Sequence, residues 1–542
     1  MNHKIILSLF ILIIIGFSVF WKTFNLEIYG DEWEGIWWTT STLQQTGHFN
    51  DRVGYKAYEL AAIILNFVSG AFAPNYSSTQ VYLFSFLTRL FAVFSLYYFL
   101  TKRNISTIGV FLGCLLFLIT PVGIQTTDWA KNFTSYISIG FFLFCLNFIY
   151  ELTSWKKVLI FLATFALSIY VNPIRAHGII FTVIFLLITH LLFQLKYRKM
   201  LSVSLLAVLL IFYMFSQLSV FGEINSLQNF YLQSLATFLN QLSFSKLQDF
   251  FVLIGRGIIP DSSLISAVLL LAALLFWKKN LFSKKYLYPV LGITFFPIII
   301  VFFYIPFNKE NITSLTGIYF TLFISLVFLV EALHKKLPDA INTIIPLLLN
   351  FSFILIPFIL GRTDVNDSTH RYLIYSALSL PIIVAFSLKN YEKISFGLNT
   401  KNAFFCICLI LVVLFFSLSK KEIDGFYSRH NQQIAKTIWG QILPHFKDFD
   451  FKQRKAIVYL EGDDGGVLHN SVSFGFGYHI GFIYKVWDFN NLPVAVDSMK
   501  DLISLTTDGK AGQKYVQKTV IFPKEDAFYF KIEGTKVKKL PL

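Results

Sequence analysis

Charged residues are scarce in this sequence of 542 residues. They make up 14% of the chain, against about a quarter of an ordinary globular protein, while hydrophobic residues make up 55% and include 62 phenylalanines. So little charge is atypical of a disordered chain, and so much apolar surface cannot be hidden inside soluble domains. The composition therefore predicts a polytopic membrane protein.

Cysteine is also rare. The four cysteines, Cys114, Cys145, Cys406 and Cys408, all lie within apolar runs, which excludes a disulfide-stapled secreted fold. The sequence lacks a Walker lysine loop, a dinucleotide fingerprint and an HExxH helix. The net charge of +15 would suggest nucleic-acid binding in a soluble protein, but here the basic residues lie between apolar blocks. No nucleic-acid partner is predicted.

Long apolar runs are what the chain has instead. A bilayer core needs about 20 apolar residues per helix, and runs of that kind predict thirteen spans, near residues 5–20, 79–100, 105–121, 134–150, 158–172, 177–194, 201–218, 262–277, 286–305, 314–331, 340–360, 372–388 and 402–419. The first follows only Lys4, and no small-residue cleavage site comes after it, so we expect a retained signal anchor.

Lysine and arginine collect in alternate loops, such as Lys102-Arg103 and Lys156-Lys157. By the positive-inside rule these loops are cytoplasmic, as is the N-terminus, and the C-terminal tail lies outside. A span at 55–72 would reverse this order, so that segment and 226–243 are predicted as interfacial helices. The expected location is a bacterial cytoplasmic membrane, with the C-terminal domain periplasmic or extracellular.

The composition divides the chain into two parts. Residues 1–419 form the predicted membrane domain, which includes a large outer loop at 21–78, and residues 420–542 form a small α/β domain. A helix is expected near 425–442. Four runs in this domain predict strands by their β-branched and aromatic content: KAIVYL, HIGFIYKVW, TVIFP and AFYFKI.

Carboxylates and tryptophans are concentrated just after the first span, in Tyr29-Gly30-Asp31-Glu32-Trp33-Glu34. Trp33, with Trp37 and Trp38, would hold this segment at the membrane surface, where a carboxylate can meet a lipid-linked substrate. The alternative is a solvated acidic loop anchored by its tryptophans.

A set of cations is predicted on the same side of the membrane. It comprises Lys56, Lys131, Arg175, Arg362 and the sequence His370-Arg371-Tyr372. Basic side chains at helix ends suit a phosphate or pyrophosphate group. Each one alone is more typical of a snorkelling side chain or a partner of Asp128 or Asp367, whereas several on one side of the membrane favour a phosphate site.

These segments resemble the GT-C class of membrane glycosyltransferases, and within it the family-39 type, which includes protein O-mannosyltransferases and lipid A aminoarabinose transferases. The resemblance rests on YGDEWEGIWWTTSTLQQTGHFND, GYKAYELAAIILNF, LTRLFAVFSLYYFLTKR and THRYLIYSALSLPII. Asp31-Glu32, Gly47, Lys56, Arg89 and Arg371-Tyr372-Leu373 fall at the family's motif positions. Lys56 is followed by Ala-Tyr where the family has Pro-Pro, and the PDE-x-RYAE pattern of the aminoarabinose enzymes is absent.

The resemblance implies a mainly α GT-C fold with about 13 transmembrane helices, interfacial helices in the first outer loop and a small C-terminal α/β domain. It implies transfer of a sugar from a polyprenyl-phosphate donor to a glycan, lipid or protein acceptor on the outer face. Asp31 is then the base of an inverting displacement, beside Glu32. Lys56, Arg371, Arg175 and Lys131 bind the donor phosphate, and Trp33, Glu34, Tyr372 and His370 are further candidates for the donor or acceptor site.

No general acid is required, because the lipid phosphate is already a good leaving group, and no cofactor is expected. Two adjacent carboxylates are alternatively ligands for Mg²⁺ or Mn²⁺. Two other functions compete: a transporter or flippase of a lipid-linked or anionic solute, and a ligase or polymerase of whole glycans from lipid-pyrophosphate donors. Transporters usually show repeated halves with polar residues at the midplane, which this sequence does not.

Overall fold

The structure is a computed structural model. It describes residues 3–47, 59–70, 76–193, 197–216, 227–241, 243–261, 309–333, 337–359, 365–389, 400–462, 472–473 and 475–542, with isolated positions between 268 and 274. The predicted span at 286–305, most of that at 262–277, Lys56 and Arg362 lie outside these residues.

Helices account for most of the described chain. In chain order they are α1 (His3–Phe20), α2 (Asp31–Thr46), α3 (Glu59–Ser69), α4 (Ser78–Thr101), α5 (Thr107–Leu118), α6 (Gln125–Asp128), α7 (Phe133–Ile149), α8 (Trp155–Val171), α9 (Ala176–Phe193), α10 (Arg198–Ser216), α11 (Leu227–Asn240), α12 (Phe244–Arg256), α13 (Lys309–Leu333), α14 (Leu337–Ile359), α15 (Ser379–Ser387), α16 (Thr400–His430), α17 (Gln432–Ile442), α18 (Phe476–Ile483), α19 (Met499–Thr507) and α20 (Gly512–Val516).

Within the described residues, four helical segments are long and apolar enough to cross a membrane: Ser78–Thr101, Ala130–Ile149, Glu310–Leu333 and Phe404–His430. Five shorter apolar helices accompany them: Ile5–Phe20, Thr107–Leu118, Ala176–Leu192, Asp339–Leu355 and Ser376–Ser387. Each of these segments overlaps a predicted span. The mainly helical membrane architecture is therefore confirmed.

The contacts divide the chain into two compact units, each built from two stretches of sequence. The first unit comprises residues 1–20 and 86–422, and the second comprises residues 21–85 and 423–542. The second unit thus combines the long loop after α1 with the C-terminal segment.

Helices of the first unit pack closely where one of them carries glycine. A Cβ atom at Gly113 of α5 would lie 2.9 Å from the Pro381 carbonyl oxygen of α15, and one at Gly178 of α9 would lie 2.5 Å from the Phe353 ring of α14. Close approach at small residues is the usual way in which helices associate in a membrane, where apolar burial gives no driving force.

The second unit contains a four-stranded sheet of order β2-β1-β3-β4, with β1 at Ile457–Gly462, β2 at Val494–Val496, β3 at Ala527–Glu533 and β4 at Lys536–Leu540. β1 is parallel to both β2 and β3, and β4 is antiparallel to β3. Side chains alternate between the two faces of the sheet. Val458, Leu460, Phe528 and Phe530 join the main core, and Ile457 belongs to a separate cluster on the other side.

Two of the four strand predictions are confirmed, because KAIVYL overlaps β1 and AFYFKI lies in β3. The prediction for HIGFIYKVW is wrong, since residues 476–483 are helical. Phe476 and Ile480 are spaced four residues apart and both enter the main core, so the run buries its apolar side chains at helical spacing. The segment TVIFP is also outside the strands, although Phe522 N–H donates to the Leu505 carbonyl at 2.8 Å.

Candidate functional site

The acidic cluster lies at the beginning of α2, in the second unit. Gly30, with φ of 58°, precedes the helix, Asp31 is its first residue, and Gly47 ends it in the left-handed conformation. Glu32 is fully buried, and its carboxylate accepts a hydrogen bond from the Tyr29 backbone N–H at 3.1 Å. The buried carboxylate of Glu32 therefore fixes the turn that carries Asp31. The N-terminal end of α2 also favours the negative charge of Glu32.

Two buried tryptophans, Trp33 and Trp37, hold this turn against the C-terminal segment. Trp33 is buried, donates from Nε1 to the Ile28 carbonyl at 2.9 Å and stacks on His479 with 4.0 Å between ring centroids. Trp37 donates to the Val486 carbonyl at 2.8 Å. The tryptophans that the sequence assigns to a membrane surface thus pack against C-terminal residues. Burial lowers the pKa of His479 to about 3, so the stacked imidazole is neutral.

Two further contacts join α2 to the C-terminal segment near the acidic cluster. The hydroxyl of Tyr478 donates to Glu34 Oε1 at 3.5 Å. A Cβ atom at Gly475 would lie 2.6 Å from the Gly30 carbonyl oxygen, so the two backbones touch directly before Asp31. The position of Asp31 therefore depends on residues more than 400 positions later in the chain.

A buried carboxylate that the sequence analysis missed lies just before this cluster. Glu27 is 3% exposed, and it accepts hydrogen bonds from the Ile28 N–H and the Ser78 hydroxyl. Its backbone carbonyl accepts from the Tyr82 hydroxyl at 3.0 Å. Burial raises the pKa of Glu27. A lone glutamate between Leu26 and Ile28 gave no spacing signal, but its apolar neighbours predict burial.

In the first unit the structure brings two of the predicted phosphate ligands together. The guanidinium of Arg175 lies 3.8 Å from the ring centre of Tyr372 and that of Arg371 lies 5.5 Å from the same ring. Arg371 also lies over Trp129 at 3.9 Å. Both arginines occupy short 3-10 turns, Pro173–Arg175 and Arg371–Leu373. These turns place both guanidinium groups against the Tyr372 ring.

The other candidates of this unit flank the arginine pair. Lys131 lies in the turn Ala130–Asn132, two residues after Trp129. His370 accepts the Tyr372 N–H at Nδ1, at 3.2 Å, and its ring lies 4.7 Å from that of Tyr372. His370 therefore caps the turn that carries Arg371.

Asp128 is a second carboxylate that the sequence treats only as an ion-pair partner. It is 3% exposed, its Oδ1 has no hydrogen-bond partner, and burial raises its pKa to about 7 against the opposing charge of Arg89. Arg89 is fully buried within α4, and it donates to the Thr127 hydroxyl at 2.7 Å and the Tyr136 hydroxyl at 2.9 Å. Arg89 therefore fixes the segment that contains Asp128.

The described residues contain no group of three His, Cys, Asp or Glu side chains arranged to hold a metal ion. One oxygen of Glu32 is already engaged by the Tyr29 N–H. The Mg²⁺ or Mn²⁺ alternative at Asp31 and Glu32 stays a prediction, because the side chain of Asp31 lies outside the described residues.

No known protein-family model and no curated protein matches this sequence. Solved structures do match. An oligosaccharyltransferase from Archaeoglobus fulgidus, in complex with Zn and sulfate, is 10% identical with a TM-score of 0.52, over 97% of this chain and 67% of that one.

Two further structures are similar at lower scores. The Archaeoglobus fulgidus oligosaccharyltransferase AglB, in complex with an inhibitory peptide and a dolichol-phosphate, is 11% identical over 97% of this chain and 69% of its own, with a TM-score of 0.49. ArnT from Cupriavidus metallidurans, bound to undecaprenyl phosphate, is 11% identical over 98% and 97%, with a TM-score of 0.31. The first match alone supports a conclusion about the fold: the chain has the polytopic GT-C fold that its motifs predict.

Proposed function

We propose that this protein is a membrane glycosyltransferase that moves a sugar from a polyprenyl-phosphate donor to an acceptor on the outer face of a bacterial cytoplasmic membrane. The acceptor is a glycan, a lipid or a protein. The single observation that carries the proposal is the arginine pair on Tyr372, within a GT-C fold. The AglB and ArnT structures contain dolichol-phosphate and undecaprenyl phosphate, which are lipid phosphates of the kind that leaves in the proposed reaction.

The arginine pair is chemically suited to a lipid phosphate. Arg175 is 7% exposed, and within the described residues no carboxylate forms an ion pair with Arg371. Guanidinium groups bind phosphate oxygens in a bidentate manner and stay charged when buried. Stacking on Tyr372 and Trp129 orients both side chains before the donor arrives, which lowers the entropic cost of binding. Lys131 is a further proposed phosphate ligand, as is Lys56, which lies outside the described residues.

The proposed reaction is a single displacement at the anomeric carbon. The acceptor hydroxyl oxygen forms a bond to that carbon, the bond to the phosphate oxygen breaks, and the polyprenyl phosphate leaves with the bonding electrons. Asp31 takes the proton of the hydroxyl. The arginines stabilise the charge that builds on the phosphate.

Glu32 has a positioning role in this scheme. Its carboxylate is buried and bound to the Tyr29 N–H, so it holds the turn that presents Asp31. Tyr372 belongs to the proposed donor site, where His370 supports the turn of Arg371. Trp33 and Glu34 belong to the proposed acceptor site, on the helix that begins with Asp31. This scheme uses no metal. The alternative scheme has Mg²⁺ or Mn²⁺ bound by Asp31 and Glu32.

The test uses the full-length protein in nanodiscs with polyprenyl-phosphate sugars and a panel of acceptors. Wild type is compared with Asp31→Asn, and with Glu151→Gln as a control that removes one carboxylate from the loop between α7 and α8. We expect Asp31→Asn to lose at least about 100-fold in transfer rate and Glu151→Gln to match wild type. Equal transfer by wild type and Asp31→Asn would refute the assignment of the base.

Two further arms separate the competing functions. Chelation with EDTA during the assay should leave the rate unchanged, and a loss that Mn²⁺ restores would establish the metal alternative. Movement of the lipid donor across a vesicle membrane without any transfer would instead establish a transporter.

A further inference from the structure

The second unit contains a cleft of about 1060 Å³ that the proposed chemistry does not use. It lies where the three parallel strands begin, because Lys455, Pro493 and Asp526, each within two residues of the start of β1, β2 or β3, all line it. Typical small-molecule pockets hold about 300–1,000 Å³. The cleft is therefore large enough for several sugar rings.

Two lysines give this cleft a positive charge without an internal partner. Lys455 is half-buried and Lys518 is exposed, and both line the cleft. Within the described residues neither lysine makes an ion pair or a side-chain hydrogen bond. Burial and the charge of Lys518 lower the pKa of Lys455, and the charge of Asp488 only partly opposes them, so the two ammonium groups are close enough to repel one another. A bound anion would relieve that repulsion.

The acids of the cleft do not neutralise the lysines. Asp526 is 2% exposed and pairs with Arg454, so its charge is already compensated. Glu525 is the remaining lining carboxylate. The lining residues therefore retain a net positive charge, and the free ammonium groups belong to Lys455 and Lys518.

The rest of the lining suits a sugar. Gln453, Asn491 and Gln517 have side-chain amides that make no hydrogen bond within the described residues, and each amide offers both donors and an acceptor to hydroxyl groups. Tyr478 and Phe489 add aromatic faces for the apolar face of a sugar ring. Amides, aromatic rings and unpaired cations together match an acidic oligosaccharide better than a free anion or an apolar ligand.

One end of the cleft reaches the acidic cluster. Gly475 and Tyr478 both line it. Gly475 touches the Gly30 backbone, directly before Asp31, and Tyr478 donates to Glu34. A glycan lying in the cleft would thus extend toward the first residue of α2.

We propose that this cleft binds the acceptor, and that the acceptor is a glycan carrying carboxylate or phosphate groups that Lys455 and Lys518 recognise. The role as acceptor rests on the proposed function, whereas binding itself does not. The amides and aromatic rings hold the sugar rings, and the two lysines select for negative charge.

Binding is measured by isothermal titration of the full-length protein in nanodiscs, without any donor. The probes are tetragalacturonate, maltotetraose of the same length without charge, and inorganic phosphate. We expect wild type to bind tetragalacturonate at least tenfold more tightly than maltotetraose or phosphate. Equal binding of the acidic and neutral tetrasaccharides, or of phosphate alone, would overturn the proposal.

The variants locate the site. Lys455→Gln combined with Lys518→Gln should weaken tetragalacturonate binding at least tenfold, and Lys455→Arg should bind as wild type does. Lys500→Gln removes an exposed lysine outside the cleft and should change nothing. A loss as large with Lys500→Gln would place recognition elsewhere. Thermal melts establish that each variant is folded.

The outcome is separable from that of the proposed function. Asp31→Asn should bind tetragalacturonate as wild type does, because binding needs no catalytic base. Binding without transfer from any lipid donor would refute the proposed transferase function but not glycan binding in the cleft. Transfer to neutral acceptors only would refute the acidic acceptor but not the transferase function.

Discussion

At the scale of single residues, neighbouring aromatic rings determine the orientation and charge of the candidate site residues. Arg371 and Arg175 share the Tyr372 ring, and His479 is neutral because Trp33 and Trp439 enclose it. The sequence could predict Asp31, Glu32 and Arg371 as candidates, because they are polar residues next to apolar runs. It could not predict the bond between Glu27 and Ser78 or the burial of Asp128, since each depends on side chains that are remote in sequence.

Binding of the lipid donor should depend on the planar shape of the Arg371 guanidinium and not on its charge alone. We predict that Arg371→Gln raises the KM for the lipid donor at least tenfold. Arg371→Lys should recover only part of this loss, because an ammonium group cannot stack on Trp129 or bind two phosphate oxygens in parallel. Steady-state kinetics against donor concentration measure both effects. Arg198→Gln, at the exposed beginning of α10, should behave as wild type, and an unchanged KM for Arg371→Gln would contradict the phosphate site.

His479 should make the second unit sensitive to acid. Its pKa is lowered from the ordinary value of 6.5 to about 3, so between these values the unfolded chain takes up a proton that the folded protein excludes. Stability from this residue is present above about pH 6.5 and is lost as the pH falls toward 3. His479→Phe keeps an aromatic ring against Trp33 and cannot titrate. Thermal unfolding should therefore show the variant gaining stability relative to wild type between pH 8 and pH 4, and a constant difference would contradict this account.

At the scale of elements, the structure depends on where backbones touch. Strands β1 and β3 could be predicted from their alternating apolar residues. Helix α18 could not, because a short apolar run fits either period until its packing partners are known. Its beginning is set by Gly475, which has φ of +88° and touches Gly30.

Gly475 should therefore tolerate no side chain. Gly475→Ala adds a clash with the Gly30 carbonyl oxygen to the cost of a left-handed backbone, about 1 kcal/mol. We expect its loss of unfolding free energy to be at least twice that of Gly534→Ala, because Gly534 has φ of +62° and nothing within 4 Å of the added atom. Denaturant titration of the two variants measures the difference. Equal losses would show that the contact with Gly30 is unimportant.

At the scale of the whole molecule, the alternation of basic loops predicts an orientation that can be tested directly. Lys510→Cys, at a position whose side chain is 83% exposed, should react with a membrane-impermeant maleimide from the outer side. Lys157→Cys, in a predicted cytoplasmic loop, should react only after the membrane is opened. Mass spectrometry of the labelled protein distinguishes the two. The reverse pattern would place the proposed site on the cytoplasmic face.

The sequence predicts the apolar helices of the membrane domain better than it predicts which segments form each compact unit. Each apolar run carries its own signal, so the spans are local properties of the chain. The association of residues 21–85 with residues 423–542 is not local, since it depends on pairs such as Trp37 with Val486 and Trp33 with His479. Composition alone gives no sign of such a pairing.

This interleaved unit has a consequence for biosynthesis. Residues 21–85 leave the ribosome long before residue 423, and at roughly 5–20 residues per second the interval is on the order of 20–70 s. Throughout it, Trp33 and Trp37 lack the partners that bury them in the finished protein. A nascent chain stalled before residue 423 would therefore expose the turn before α2 to chaperones and proteases, and this unit cannot be completed until translation is nearly finished.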